Sequence, residues 1–127
     1  MKVLGLIAAI ICSVQIASAK DVVLTSWNHC SLEDQVNNTT MQKLKFCLAD
    51  KVARRKGRSY PIYLVVNSPG GSIYSGMRFI SFAKTIKNLE TVTLFAASMA
   101  SAIVEALPGA RHGTENAVTM FHRPRGS

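Results

Sequence analysis

The sequence predicts an α/β fold with a mostly parallel sheet, and three observations point to it. Strand-like and helix-like segments alternate along the chain in the order β-α-β-α-β-α-β. One strand, Pro61 to Val66 (Pro-Ile-Tyr-Leu-Val-Val), is a continuous β-branched and aromatic run, the pattern of a strand covered on both faces. Each pair of successive strands is separated by a helix, which implies parallel strands and right-handed crossovers. The length of 127 residues suits one domain, and 48% hydrophobic against 17% charged residues leaves enough apolar material for a core. Helical repeats, heptads and a collagen period are absent from the sequence. Three cysteines are too few for a disulfide-dense miniprotein or a four-cysteine zinc ribbon.

The elements follow in order. Asp21 to Leu24 reads as a short strand, and Ser26 to Asn38 as a polar, turn-like stretch. Thr39 or Thr40 can cap a helix from about Met41 to Lys56, in which Leu44, Leu48 and Val52 recur at helical spacing. Gly57 is a plausible stop, and the run Arg54-Arg55-Lys56 falls in the last turn, where the helix dipole favours cations. After the Pro61 to Val66 strand, Asn67 to Ser72 breaks the pattern at Pro69-Gly70-Gly71. A helix is predicted from about Tyr74 to Ile86, a strand from Glu90 to Ala96, and a small-residue helix from Ser98 to Leu107, stopped by Pro108-Gly109. The last strand is predicted over Asn116 to Phe121, ending at His122.

The first nineteen residues read differently. Met1-Lys2 is a short positive start, Val3 to Ile16 is mostly apolar, and Ala17-Ser18-Ala19 offers the small residues a signal peptidase reads. Residues 1–19 are therefore expected to be a secretory signal peptide, cleaved between Ala19 and Lys20, with export to the periplasm or outside the cell. An uncleaved anchor is the alternative, but the apolar run is short against the roughly 20 residues a bilayer needs. Residues 20–127 form the expected domain. Cleavage removes Cys12 and leaves Cys30 and Cys47, which an oxidising compartment allows to pair. Two unpaired thiols, or a metal site that adds His29, are the other readings of the same residues.

In parallel α/β sheets the functional crevice lies outside the carboxyl ends of the strands. Three features gather there: Gly70-Gly71 after one strand, Ser98 after the next, and His122 after the third. A serine at a helix start is usually a cap; as a nucleophile it needs a base within hydrogen-bond reach. His122 is the candidate base, with His29 and His112 as competitors placed less favourably. Gly70 and Gly71 let the backbone turn tightly, and their N–H groups, with that of Met99, can hold a developing oxyanion. The same glycines also suit a plain βα turn. They form neither a P-loop nor a dinucleotide fingerprint, since no Gly-Lys-Ser/Thr and no G-x-G-x-x-G is present.

These residues carry a resemblance. Pro61-Ile-Tyr-Leu-Val-Val-Asn-Ser-Pro-Gly-Gly-Ser-Ile-Tyr-Ser-Gly-Met77, Ala96-Ala-Ser-Met-Ala100 and Met120-Phe-His-Arg-Pro124 resemble the strand-loop-helix, nucleophile and histidine segments of the Clp-type serine peptidases, in family order. The resemblance implies a ClpP/crotonase-like fold of stacked β-β-α units. It implies Ser98 as nucleophile, His122 as general base, and Gly71 and Met99 as oxyanion donors. Gly70 and Ile73 would line a groove for an extended peptide or unfolded protein. It implies acyl-enzyme chemistry with no cofactor and no metal, and a homo-oligomeric ring.

Three departures accompany it. Leu94-Phe95 stand where the family usually has a glycine shortly before the nucleophile. A signal peptide is out of place for an ATPase-fed peptidase, so no ATPase partner is expected if the chain is exported. No Asp or Glu follows His122, whereas the family's acidic triad member and its handle helix lie beyond that point. Glu105 and Glu115 do not match the position of that acid. The sequence so reads either as a piece of a longer protein or as a short, inactive version, and a non-catalytic peptide-binding or assembly module on the same fold is the alternative function. An acyl-thioester enzyme is disfavoured by the Ser98/His122 pair, and a Ser–Lys dyad would need Lys84 or Lys87. Nucleic acid is not expected, because the basic run Arg54 to Arg58 carries no interleaved aromatics.

Overall fold

A computed structural model describes residues 21–120. The signal-peptide segment and His122 lie outside the described residues. Strands β1 (His29–Leu32), β2 (Ile62–Ser68), β3 (Leu89–Ala97) and β4 (Arg111–Met120) alternate with helices α1 (Asn38–Arg55), α2 (Ile73–Ala83) and α3 (Met99–Ala106). All adjacent strands are parallel, in the order β1-β2-β3-β4. The α/β parallel architecture is therefore as the alternation of segments predicted. With right-handed crossovers this sequential order places every helix on one face of the sheet. The packing agrees: α2 lies against both α1 and α3.

Burial follows the pleat. Ile62, Leu64 and Val66 are fully buried beneath the helices, where they meet Leu48, Phe79 and Ile103. Tyr63 and Val65 alternate with them on the opposite face, beside Glu90 and His112 on the neighbouring strands. His112 Nε2 is 2.7 Å from Glu90 Oε1, and its ring meets Tyr63 edge-on. Burial, with the Glu90 carboxylate adding to it, raises the Tyr63 phenol above its ordinary 10.0.

Several boundaries differ from the sequence expectation, each for a local physical reason. The strand expected at Asp21 to Leu24 is not formed. Val23 and Leu24 are exposed, and the Asn28 side chain ties this segment into a turn by accepting from Thr25 N and donating to Val23 O. The real first strand, His29–Leu32, sends Cys30 and Leu32 into the core. Polar His29 and Ser31 face the other side and hide the alternation. At the start of α1 the cap is Asn37 rather than a threonine. Its Oδ1 accepts from Thr40 N at 2.9 Å and Thr40 Oγ1 accepts from Asn37 N at 3.0 Å, a reciprocal capping box. The helix ends at Arg55, one residue before the expected Lys56. Strand β4 begins at Arg111, so His112 and Glu115 lie in a strand rather than in the turn before it.

Cys30 and Cys47 are joined by a disulfide that ties β1 to α1, with 6.1 Å between Cα atoms. Their sulfurs are bonded to each other, so they cannot join His29 around a metal, and among the described residues no group of three or more His, Cys, Asp or Glu is placed to hold one. The bridge spans 17 residues of sequence. A loop of that size is worth about 3 kcal/mol through the unfolded chain. Reduction followed by alkylation should lower the urea midpoint accordingly, and an unchanged midpoint would mean that the bridge contributes nothing to stability.

Candidate active site

The carboxyl ends of β2 and β3 lie side by side and present the candidate residues together. Strand β3 runs to Ala97 and α3 begins at Met99, so one residue, Ser98, must make the whole turn. It does so at φ 55, ψ −125, a conformation a non-glycine residue rarely adopts. Ser98 makes no side-chain capping bond, unlike the serine of an ordinary helix start. A sharp strand-to-helix turn of this kind exposes a hydroxyl at the edge of the sheet. The strain is held by the backbone. Ser98 N donates to Met120 O at 2.9 Å, and the Ser98 carbonyl accepts from Ser101 N (3.0 Å), Ala102 N (3.2 Å) and Ser101 Oγ (2.6 Å).

Gly70 comes up against this turn at φ 95. A Cβ there would lie 2.5 Å from Ala97 O, 2.7 Å from Ser98 Cβ and 2.9 Å from Met99 N. Only glycine permits that approach. Gly71, at φ 149, sits on Val36 instead, where a Cβ would strike the Val36 backbone. Val36 N donates to Gly70 O at 2.8 Å and Ser72 N donates to Val36 O at 2.7 Å. This is a parallel bridge, in which the bridged Gly71 turns its own N–H to the side away from Val36. Among the described residues neither Gly71 N–H nor Met99 N–H donates to a backbone acceptor. Met99 N–H is one of the unpaired donors that every helix start leaves. The Met99 side chain is buried against Gly76 of α2, which locks the first turn of α3 in place. Ile73 opens α2 beside the glycines and is 47% exposed.

The structure thus brings Ser98, Gly70 and Met99 together, with Gly71 and Ile73 adjoining. Register separates the competing histidines from them. His112 pairs with Val92, and His29 with Tyr63 beside Glu90, so both stand six or more residues from Ser98 along the strand direction. At about 3.3 Å per residue this is about 20 Å. Lys84 and Lys87 follow the far end of α2 and lie away from Ser98. A cleft elsewhere is distant from these residues. It measures about 700 Å³ and is lined by Val52, Arg55, Phe82 and Ile86 at the opposite end of the sheet. Sequence reasoning missed two supports of the site, Val36 and Ser68. Neither carries a local signal, because Val36 bonds to Gly70 and Ser72 and Ser68 bonds to Asp34, all more than thirty positions away in sequence.

A strained serine, beside N–H groups without a backbone acceptor among the described residues, thus stands at the carboxyl edge of a parallel α/β sheet. The chain belongs to the Clp protease family, whose model matches residues 15–127. It is similar to the crystal structure of the ClpP protease catalytic domain from Plasmodium falciparum, with 26% sequence identity and a TM-score of 0.66. The match covers 83% of this chain and 64% of that one, so this chain spans less than two thirds of that domain's length.

Proposed function

We propose that this protein is a serine-type endopeptidase that works through an acyl-enzyme. Ser98 Oγ attacks the peptide carbonyl carbon while His122 takes its proton. The N–H groups of Gly71 and Met99 stabilise the oxyanion. The protonated His122 then gives its proton to the departing amine, and water hydrolyses the ester by the same route. The substrate, a peptide or unfolded protein, lies extended along Gly70 and Ile73. The observation that carries this reading is the strained, uncapped Ser98 packed against Gly70, next to a Met99 N–H that has no backbone acceptor among the described residues. The placement of Met120 supports His122 as base: its carbonyl accepts the Ser98 N–H, and His122 follows two residues later in the chain. The reading extends to residues 20–127 as the working domain, to cleavage of a signal peptide, to action outside the cytoplasm without an ATPase partner, and to a homo-oligomer. It needs no cofactor, because every chemical step uses side-chain or backbone groups.

A peptide-binding module without turnover is the second reading. The exposed apolar residues Ile73, Tyr74 and Met77, which border the glycine turn, favour it. A serine-directed fluorophosphonate decides between the two. Under the peptidase reading it labels the folded protein, and Ser98→Ala and His122→Ala abolish the label while Ser81→Ala, on the exposed side of α2, retains it. Absence of label in folded wild type removes the peptidase reading and leaves the binding module.

A further inference from the structure

We infer that Ser68 is a positioning residue of this site, acting through Gly70; the inference rests on the proposed peptidase reading. Ser68 is the last residue of β2 and is completely shut off from solvent. Its hydroxyl donates to the Asp34 carbonyl at 2.6 Å and accepts from Gly70 N at 3.2 Å. One oxygen so joins the segment before α1 to the glycine turn.

The consequences run through Val36. Asp34 lies two residues before Val36, and Val36 holds Gly70 and Ser72 by the two bonds that turn Gly71 N–H outward. The Ser68 hydroxyl therefore fixes both sides of the bridge at once: Asp34 in the segment before α1, Gly70 in the glycine turn. Oxyanion donors are effective only when they are held in place before charge develops. A plain βα turn needs glycines but not a buried hydroxyl spanning 34 residues of sequence. Removing the Ser68 oxygen leaves the Gly70 N–H and the Asp34 carbonyl without that partner, which favours local displacement of the turn over a well-ordered gap. The serine is not a nucleophile here, since its oxygen is buried and engaged on both sides.

Amide exchange and covalent labelling together test this. In Ser68→Ala, exchange at Val36, Gly70 and Ser72 is expected to accelerate by about tenfold or more, while Leu64 of β2 and Leu48 of α1 keep their protection. The fluorophosphonate labelling rate at saturating probe is expected to fall by about 10²-fold, with the half-saturating probe concentration within about threefold of wild type. A purely structural serine would lower the labelled fraction through unfolding and leave the rate constant of the folded fraction unchanged, which overturns the inference. Unchanged exchange at the three amides also overturns it. The wild type supplies an arm that needs no variant. Val36, Gly70 and Ser72 should exchange as one unit with a shared urea dependence, and a Gly70 amide exchanging as fast as an open one refutes the brace. Wild type that takes no probe defeats the peptidase reading alone, and the exchange arms then still decide the role of Ser68.

Discussion

Gly70→Ala is expected to abolish labelling at Ser98 and to weaken the fold by about 3 kcal/mol. Two causes add. At φ 95 an L side chain is strained, and its Cβ would press on Ala97 O, Ser98 Cβ and Met99 N at 2.5, 2.7 and 2.9 Å. All three contacts are backbone or backbone-adjacent, so no flexible side-chain end can swing away. The turn must open, which separates the Gly71 and Met99 N–H groups. Urea unfolding reads the stability loss, and the labelling rate of the remaining folded fraction reads the site. Gly57→Ala makes the comparison: Gly57 also has positive φ but nothing within 4 Å of a Cβ. It should cost about 1 kcal/mol and leave labelling intact. Equal effects of the two variants would mean that close packing against Ser98 is unimportant.

Ser98→Gly is expected to lose peptide hydrolysis by at least about 10³-fold while raising stability by about 1 kcal/mol. The opposite signs are the diagnostic feature. A serine that caps a helix loses a few tenths of a kcal/mol on replacement by glycine. Ser98 makes no capping bond and occupies φ 55, so glycine relieves strain and removes no side-chain hydrogen bond to the described residues. A residue kept in a strained conformation at a stability cost is a signature of a functional site. Thermal unfolding should show a midpoint about 4 °C higher for the variant. A lower midpoint would identify Ser98 as a structural turn residue.

Much of the fold was legible in the sequence because its signals are local. The Pro61 to Val66 run, fully buried at Ile62, Leu64 and Val66, announced a central strand. Helical spacing at Leu44 and Leu48 located α1, and the Gly70-Gly71 turn and Ser98 fell at strand ends as the alternation of segments required. The first strand is displaced from its expected place because its core residues, Cys30 and Leu32, alternate with polar neighbours, whereas the more apolar Asp21 to Leu24 stretch pairs with no strand among the described residues. The start of the last strand was missed for the same reason: Arg111 to Glu115 is polar in sequence yet begins pairing at Thr91.

By itself, then, the sequence determined which segments are strands or helices wherever periodicity is strong, the order that makes the sheet parallel, and the residue types offered at its carboxyl edge. It also carried the motif likeness that the family match bears out. Only the tertiary structure decided that Ser98 turns at a positive φ, that Gly70 rather than Gly71 packs on it, that Val36 and Ser68 hold the turn, and that His112 is committed to Glu90, about 20 Å from Ser98. Periodicity and propensity act over a few residues, so they are written locally in the chain. Close approach, strain and the bond from Ser68 to Asp34 exist only once strands distant in sequence have set their register, because that register decides which backbone groups meet.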